Sequence, residues 1–404
     1  MNKKCLPVGI ILLFIGTAII PSTAQNIEKS SSASRGHWLY VGGSGPGNYS
    51  RIQEAINASS EGDTVFVYSG TYKENIVINH PISLIGENKH TTIIDGMAHD
   101  EVVYIKNNVN GVKIQQFTIH NCSKAGPYYA DIHIEYYSNN TIISDNIFYN
   151  DATGVLLHLS NYGSLINNTF DNCSYDGIHF VECHANDVSY NIISKCDNGI
   201  FLEAECSSNN IHGNILDSNS CGIYADGTWG GGSSNNIYDN LIENNKWGIY
   251  LYLAFHNNFI QNNMVIKNRD GISLDGVYDN TVQNNSVFIN GVGILLIGGA
   301  RTLIIRNNIT QNSHIVRFTG GVFIVDSSGN NIIQNNFVRN IPQATFLCTK
   351  AEASSNQWLG NYWGKHMIFP KLILGRIGNF FTVIPWIQFD FHPAQVPYDV
   401  PGMR

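Results

Sequence analysis

The sequence predicts an all-β fold, a parallel β-helix wound from a single chain and closed by a cap at each end. Three observations predict it. The first is a repeat running from Asn139 to about Ala353, mostly 22 or 23 residues long. It is marked by an asparagine column at Asn146, Asn168, Asn191, Asn214, Asn240, Asn263, Asn285, Asn308, Asn336 and Asn361. A glycine column keeps step from Gly154, Gly177 and Gly199 to Gly293 and Gly321. Periods of this size define solenoids, whose units bury their apolar faces only against neighbours. The second observation is apolar spacing of two. Ile143, Leu165 and Val188 through Ile305 and Ile333 stand three before each asparagine, with Phe148, Phe170 and Ile193 through Thr310 and Val338 two after. Pairs such as Ile178/Phe180 and Ile200/Leu202 follow each glycine. That is strand spacing, and no repeat leaves room for a helix. The third is composition: 51 Asn, 38 Gly and only 13% charged residues suit a molecule made of corners. Asparagine tolerates the left-handed corner conformation, and stacked amides can bond along a column.

Taken in order, residues 1–24 combine Lys3 and Lys4 with an apolar run from Leu6 to Ile20 and small residues Ser22 and Ala24. This is the pattern of a secretory signal peptide, so the chain is expected to be secreted, extracellular or at the cell surface. It would touch a membrane only if that segment stayed uncleaved. Residues 25–36 form a Ser-rich linker. Residues 37–100 are the N-terminal cap with the first strands. There Ser50 is the expected N-cap of a helix carrying Glu54 in its first turn, and that helix would cover the open end of the coil. The run RIQEAINASSEGDTVFVYSGTYKENIVINHPISLIGENKHTTIIDG resembles the opening of NosD-type proteins, the carbohydrate-binding and sugar-hydrolase (CASH) class of right-handed parallel β-helices on a pectin-lyase-like scaffold, especially secreted archaeal ones. The resemblance continues through the repeats at 101–353 and implies the fold; it implies no single activity, because such families share a scaffold and not a site. Residues 354–404 break the repeat with Pro370, Pro385, Pro393, Pro397 and Pro401, and Trp358, Trp363 and Trp386 are expected to cover the last turn.

Function is expected on an outer face. Strand alternation turns outward the residues two and four after each glycine, with Asp131 standing in the first glycine position. They are His133 and Glu135, Leu156 and His158, His179 and Val181, Phe201 and Glu203, Tyr224 and Asp226, Tyr250 and Tyr252, Ser273 and Asp275. Glu203 and Asp226 fall on adjacent turns, about 4.8 Å apart. Like charges that close raise one pKa and set an acid beside a base, with His158 or His179 nearby. The spacing also resembles the narrow carboxyl separation of retaining glycosidases. Tyr224, Tyr250, Tyr252 and Trp229, the last in the inserted ADGTWGGGSS, offer rings for sugars. Together, His133, Glu135, Phe201, Tyr224, Trp229, Tyr250, Tyr252 and Asp275 make the candidate ligand surface. The motif sets of polygalacturonases, alginate epimerases and pectate lyases are absent. Net charge of −8 with 23 Lys and Arg sets nucleic acid aside as a partner. A polysaccharide or surface glycan is the expected partner. One alternative is a glycoside hydrolase or polysaccharide lyase on the same face, and the other is a copper-handling or structural cell-surface solenoid with no glycan site.

Seven cysteines follow the leader. Cys173 and Cys196 share one column and Cys183 and Cys206 another, so each pair is expected to stack within disulfide reach, as suits a secreted chain. NosD proteins are associated with copper delivery. The resemblance thus implies a metal reading in which His179, Cys183, His184 and Cys206 supply a soft donor set. No cofactor is required by the sequence; copper or calcium are the ions it leaves open.

Overall fold

The computed structural model describes residues 36–313, 319–349, 355–378 and 383–400. The expected signal peptide and nearly all of the linker lie outside them. The chain is a parallel β-helix. Each turn lays down three short strands, as Ile147–Tyr149, Thr153–His158 and Ser164–Ile166 do, and each pairs in parallel with its counterpart one turn on. Among the described residues the strands form one run of 28 and another of 12. No helix there is long and apolar enough to cross a membrane.

Alternation decides what is inside. Val155, Ile178, Ile200, Ile223, Ile249 and Ile272 are fully buried and in register on successive turns. Phe148 and Phe170 stack with ring centres 4.7 Å apart. The glycine column has a packing cause: a Cβ on Gly177 would lie 2.5 Å from the Ile193 side chain and 2.7 Å from the Gly199 carbonyl oxygen.

The asparagine column is a hydrogen-bonded ladder. The main-chain N–H and Nδ2 of Asn191 both donate to Oδ1 of Asn214, at 2.9 and 3.0 Å, while Nδ2 of Asn214 donates back to the Val188 carbonyl at 2.9 Å. Each side chain thus satisfies corner groups that would otherwise be buried without partners. Three expectations change here. The upper rungs are Asn307 and Asn335, one residue before Asn308 and Asn336, so the inward residues there are Ile304, Ile309, Ile332 and Phe337. The left-handed residue is the one before the ladder position, as at Asp145, Asn167 and Tyr190, and not the ladder asparagine. And there are three ladders among the described residues. A second runs through Asn186, Asn209, Asn235, Asn258 and Asn280, and a third through Asn219, Asn245, Asn268, Asn290, Asn312 and Asn340.

The N-terminal helix spans Ile52–Ala58 and buries Ile52, Ala55 and Ile56. Its N-cap is Arg51, not Ser50, and the cap side chain makes no bond. The carboxylate of Glu74 does that work, accepting the Ile52 and Gln53 N–H groups at 2.9 and 3.1 Å. At the other end Gln357–Leu359 still pairs in parallel with the repeat, and Lys371–Gly378 and Val383–Asp390 then form an antiparallel hairpin that accommodates Pro385. Trp358 and Trp363 are buried, Trp363 stacking on Phe337 at 4.4 Å. Asp390 ends the main ladder, accepting N–H and Nδ2 of Asn361 at 2.9 and 3.1 Å.

The cysteines of both expected pairs, Cys173 with Cys196 and Cys183 with Cys206, are buried free thiols, so the two expected bridges are not formed. The columns are as the spacing predicts. The N–H of Cys183 donates to Sγ of Cys206 at 3.4 Å, and that of Cys196 donates to Oδ1 of Asn219, making Cys196 the foot of the third ladder.

Candidate functional site

The outer face is assembled by register. One column runs Tyr104, His133, Leu156, His179, Phe201, Tyr224, Tyr250 and Ser273, and the next runs His158, Val181, Glu203, Asp226, Tyr252 and Asp275. From His133 and His158 onward these are the columns the sequence predicts. What the side chains do within them differs in three respects.

First, Glu203 and Asp226 are backbone neighbours but do not form an acid beside a base. Oε2 of Glu203 lies 2.9 Å from Nε2 of His179, and Tyr128 donates to both Glu203 oxygens at 3.3 and 3.4 Å. The His179 bond, outweighing burial, holds the Glu203 carboxyl below its ordinary range. Asp226 accepts Tyr224 Oη at 3.0 Å and the Thr228 N–H at 2.8 Å. His179 is only 1% exposed, with Nδ1 3.2 Å from Oδ2 of Asp176. Burial pushes its pKa down, but Asp176 and Glu203 together outweigh that and hold it up to about 9, so the His179–Glu203 pair is ionic at neutral pH.

Second, the ring column is occupied with itself. His179, Phe201, Tyr224 and Tyr250 stack in succession with centres 4.5, 5.0 and 5.4 Å apart. Tyr250 Oη donates to Asp275 at 3.3 Å. Edges and hydroxyls, not ring faces, therefore meet solvent along this column. The more exposed rings flank it: Trp229 is 79% exposed and Tyr128 is 49% exposed, with one face of Tyr128 on His179. Tyr128 lies in the loop before strand Ala130–Ile134 and reaches Glu203 from 75 residues away, stacking on His179 at 5.9 Å.

Third, the donor set His179, Cys183, His184 and Cys206 does not come together. Alternation sends Cys183 and Cys206 into the core, where the Cys183 thiol donates to the Leu157 and Val181 carbonyls, while His179 faces outward between two carboxylates. Two other groups do converge. Cys122, Asp131 and Asp151 meet inside the coil with every ligand atom within 4.8 Å, and burial raises Asp131 well above the usual carboxylate range. On the outer face, His133, Glu135 and His158 meet within the same distance. Nδ1 of His133 lies 3.1 Å from Glu101, and Tyr104 donates to Oε2 of Glu135 at 2.9 Å. Burial is the main cause holding His158 below its ordinary value. Glu101, Tyr104, Asp176 and Tyr128 are not evident in the sequence; an unusually long stretch between Thr118–His120 and Ala130–Ile134, carrying Pro127, Tyr128 and Tyr129, is the one trace of the last.

Residues 56–247 and 228–367 match the family model described as periplasmic copper-binding protein (NosD). No curated protein matches the sequence. Among solved structures, DFA-IIIase from Arthrobacter chlorophenolicus A6, without its lid and in complex with GF2, superposes with a TM-score of 0.61 at 13% identity, covering 82% of this chain and 100% of that one. The same enzyme with DFA-III gives 0.59 at 12% identity over 73% and 93%. The Dettilon tailspike protein gives 0.53 at 14% identity over 80% and 69%. At such identities the likeness is one of fold.

Proposed function

The chain belongs to the NosD family, and on that premise we propose that it is a secreted protein holding a polysaccharide or surface glycan along the outer face from His133 to Asp275. The observation that supports this reading is the density of fixed polar groups on successive turns. The His179–Glu203 ion pair, the Asp226–Tyr224 pair and the Asp275–Tyr250 pair repeat along one face, flanked by the exposed rings of Tyr128 and Trp229. Paired carboxylates with preset hydroxyls offer hydrogen bonds to sugar hydroxyls, and a free ring offers its face to a pyranose.

Binding is favoured over hydrolysis or elimination at the Glu203–Asp226 pair. General acid catalysis by a carboxyl near neutral pH needs a raised pKa, and Glu203 is held low by His179. The test is an array of acidic and neutral polysaccharides read for retention and released ends together. Retention without release is expected; release abolished by Glu203→Gln would transfer the face to the enzyme reading.

The family description names copper, which makes metal handling the second reading. The observation favouring it is the convergence of His133, Glu135 and His158, two imidazoles and a carboxylate that suit an ion of borderline softness.

A further inference from the structure

We propose that Nε2 of His133, a ring nitrogen of His158 and the Glu135 carboxylate bind one divalent copper or zinc ion at the N-terminal end of the outer face, with Glu101 orienting His133. The site deepens the metal-handling reading and rests on it; it stands without the glycan reading. Three observations carry it.

The ligand atoms of the three residues all lie within 4.8 Å of one another, close enough to share an ion. His133 is 8% exposed, yet its Nε2 has no hydrogen-bond partner, while it points to Oε2 of Glu135 at 3.4 Å. Nδ1 is already engaged by Glu101 at 3.1 Å. When Nδ1–H donates to Glu101, Nε2 faces the Glu135 carboxylate, an arrangement that either a second proton or a metal ion between them satisfies. The His158 nitrogen within 4.8 Å supplies a further ligand that a metal ion uses and a proton does not. That arrangement is the carboxylate–histidine–metal relay in which an outer carboxylate fixes the tautomer and orientation of a ligating imidazole. Tyr104, donating to Glu135 at 2.9 Å and packed edge-on against His133 at 5.4 Å, restrains the remaining ligand in the same way.

The register explains how the fold builds the site. His133 and Glu135 alternate outward on strand Ala130–Ile134 and just past its end, and His158 closes the next strand, Thr153–His158. Glu101 comes from the turn below. Two imidazoles and one carboxylate leave positions open for water or a glycan oxygen, and by the usual order of affinities copper(II) binds such a set more tightly than zinc.

The experiment uses the untagged mature chain stripped with chelator, then titrated with Cu2+ alone and with Zn2+ alone by calorimetry. Electron paramagnetic resonance of the copper-loaded protein gives a second readout. One ion per chain is expected, with a copper signal showing two nitrogen donors. His158→Asn, at a half-buried position stacked on Tyr136, and His133→Gln should each abolish the high-affinity phase. Glu101→Gln should weaken it by about 10- to 100-fold without changing the stoichiometry. Absence of a stoichiometric phase for both ions, or its survival in both histidine variants, overturns the assignment. So does its loss in Cys183→Ser with His158→Asn unaffected. Retention of secondary structure in each variant separates loss of the site from loss of the fold.

Discussion

At the scale of residues, the outer face depends on a histidine held between carboxylates. His179 has its pKa raised to about 9 from an ordinary 6.5, so its stabilising contribution is complete below 6.5 and is lost as pH rises through about 9. Glu203 is shifted the other way, so its contribution is present above 4.5 and is lost as pH falls. Glu203→Gln is therefore expected to lower unfolding free energy by roughly 1.5–3 kcal/mol near pH 6 and by much less at pH 10. Chemical denaturation of both proteins across that range checks this; an equal deficit at the two pH values would remove the ion pair from the account. The position of His179 on the outer column was legible in the sequence because alternation alone sets it. Its partner Tyr128 was not, since a contact spanning 75 residues leaves no local periodicity. The cysteines make the complementary case. Spacing correctly stacked them, but stacking is compatible with a thiol or a bridge. Cys173, Cys196, Cys183 and Cys206 should all react with a thiol reagent in denaturant without reductant, whereas bridged pairs would not. Native protein should react slowly, because every sulfur is buried.

At the scale of elements, the corners hold the turns together. A ladder asparagine satisfies groups of its neighbours as well as its own, so Asn214→Ala strands the N–H and Nδ2 of Asn191 and the Val188 carbonyl together. Each buried group left without a partner costs about 1–3 kcal/mol. The variant should lose several kcal/mol, while Asn308→Ala, beside the ladder and with a side chain that accepts the Thr310 hydroxyl, should stay within about 0.5 kcal/mol of wild type. Urea unfolding of the two proteins settles which residue is the rung, and a severe Asn308→Ala would contradict the register. The reason that register was misread is concrete. Asn307-Asn308 and Asn335-Asn336 are doublets, and a column drawn by residue type alone fits either member. The second and third ladders escaped for a related reason: cysteines and an aspartate occupy the lower positions of the third. The capping of the helix was also beyond local reading, because Glu74 supplies it from the following strands.

At the scale of the whole molecule, a coil whose core is built from alternating apolar residues leaves one long face free to carry polar chemistry on successive turns. The fold class, the outer columns and the positions of Glu203, Asp226, Tyr224 and Tyr250 follow from a period-two pattern repeated at a fixed interval, and the structure has them in those places. The chemistry between columns depends on rotamers and on inserted loops, which spacing does not encode. The central claim is that this face, and not the opposite sheet, receives a glycan. The most direct measurement is the affinity of the mature chain for the polysaccharide it retains, set beside two variants. Trp229→Ala with Asp226→Asn alters the face, and Glu243→Gln alters the 12-stranded sheet on another side. The account predicts a loss of about tenfold or more in the first and no change in the second, a tenfold loss corresponding to about 1.4 kcal/mol. Equal affinity in the first variant, or retention of no polysaccharide at all, would contradict it.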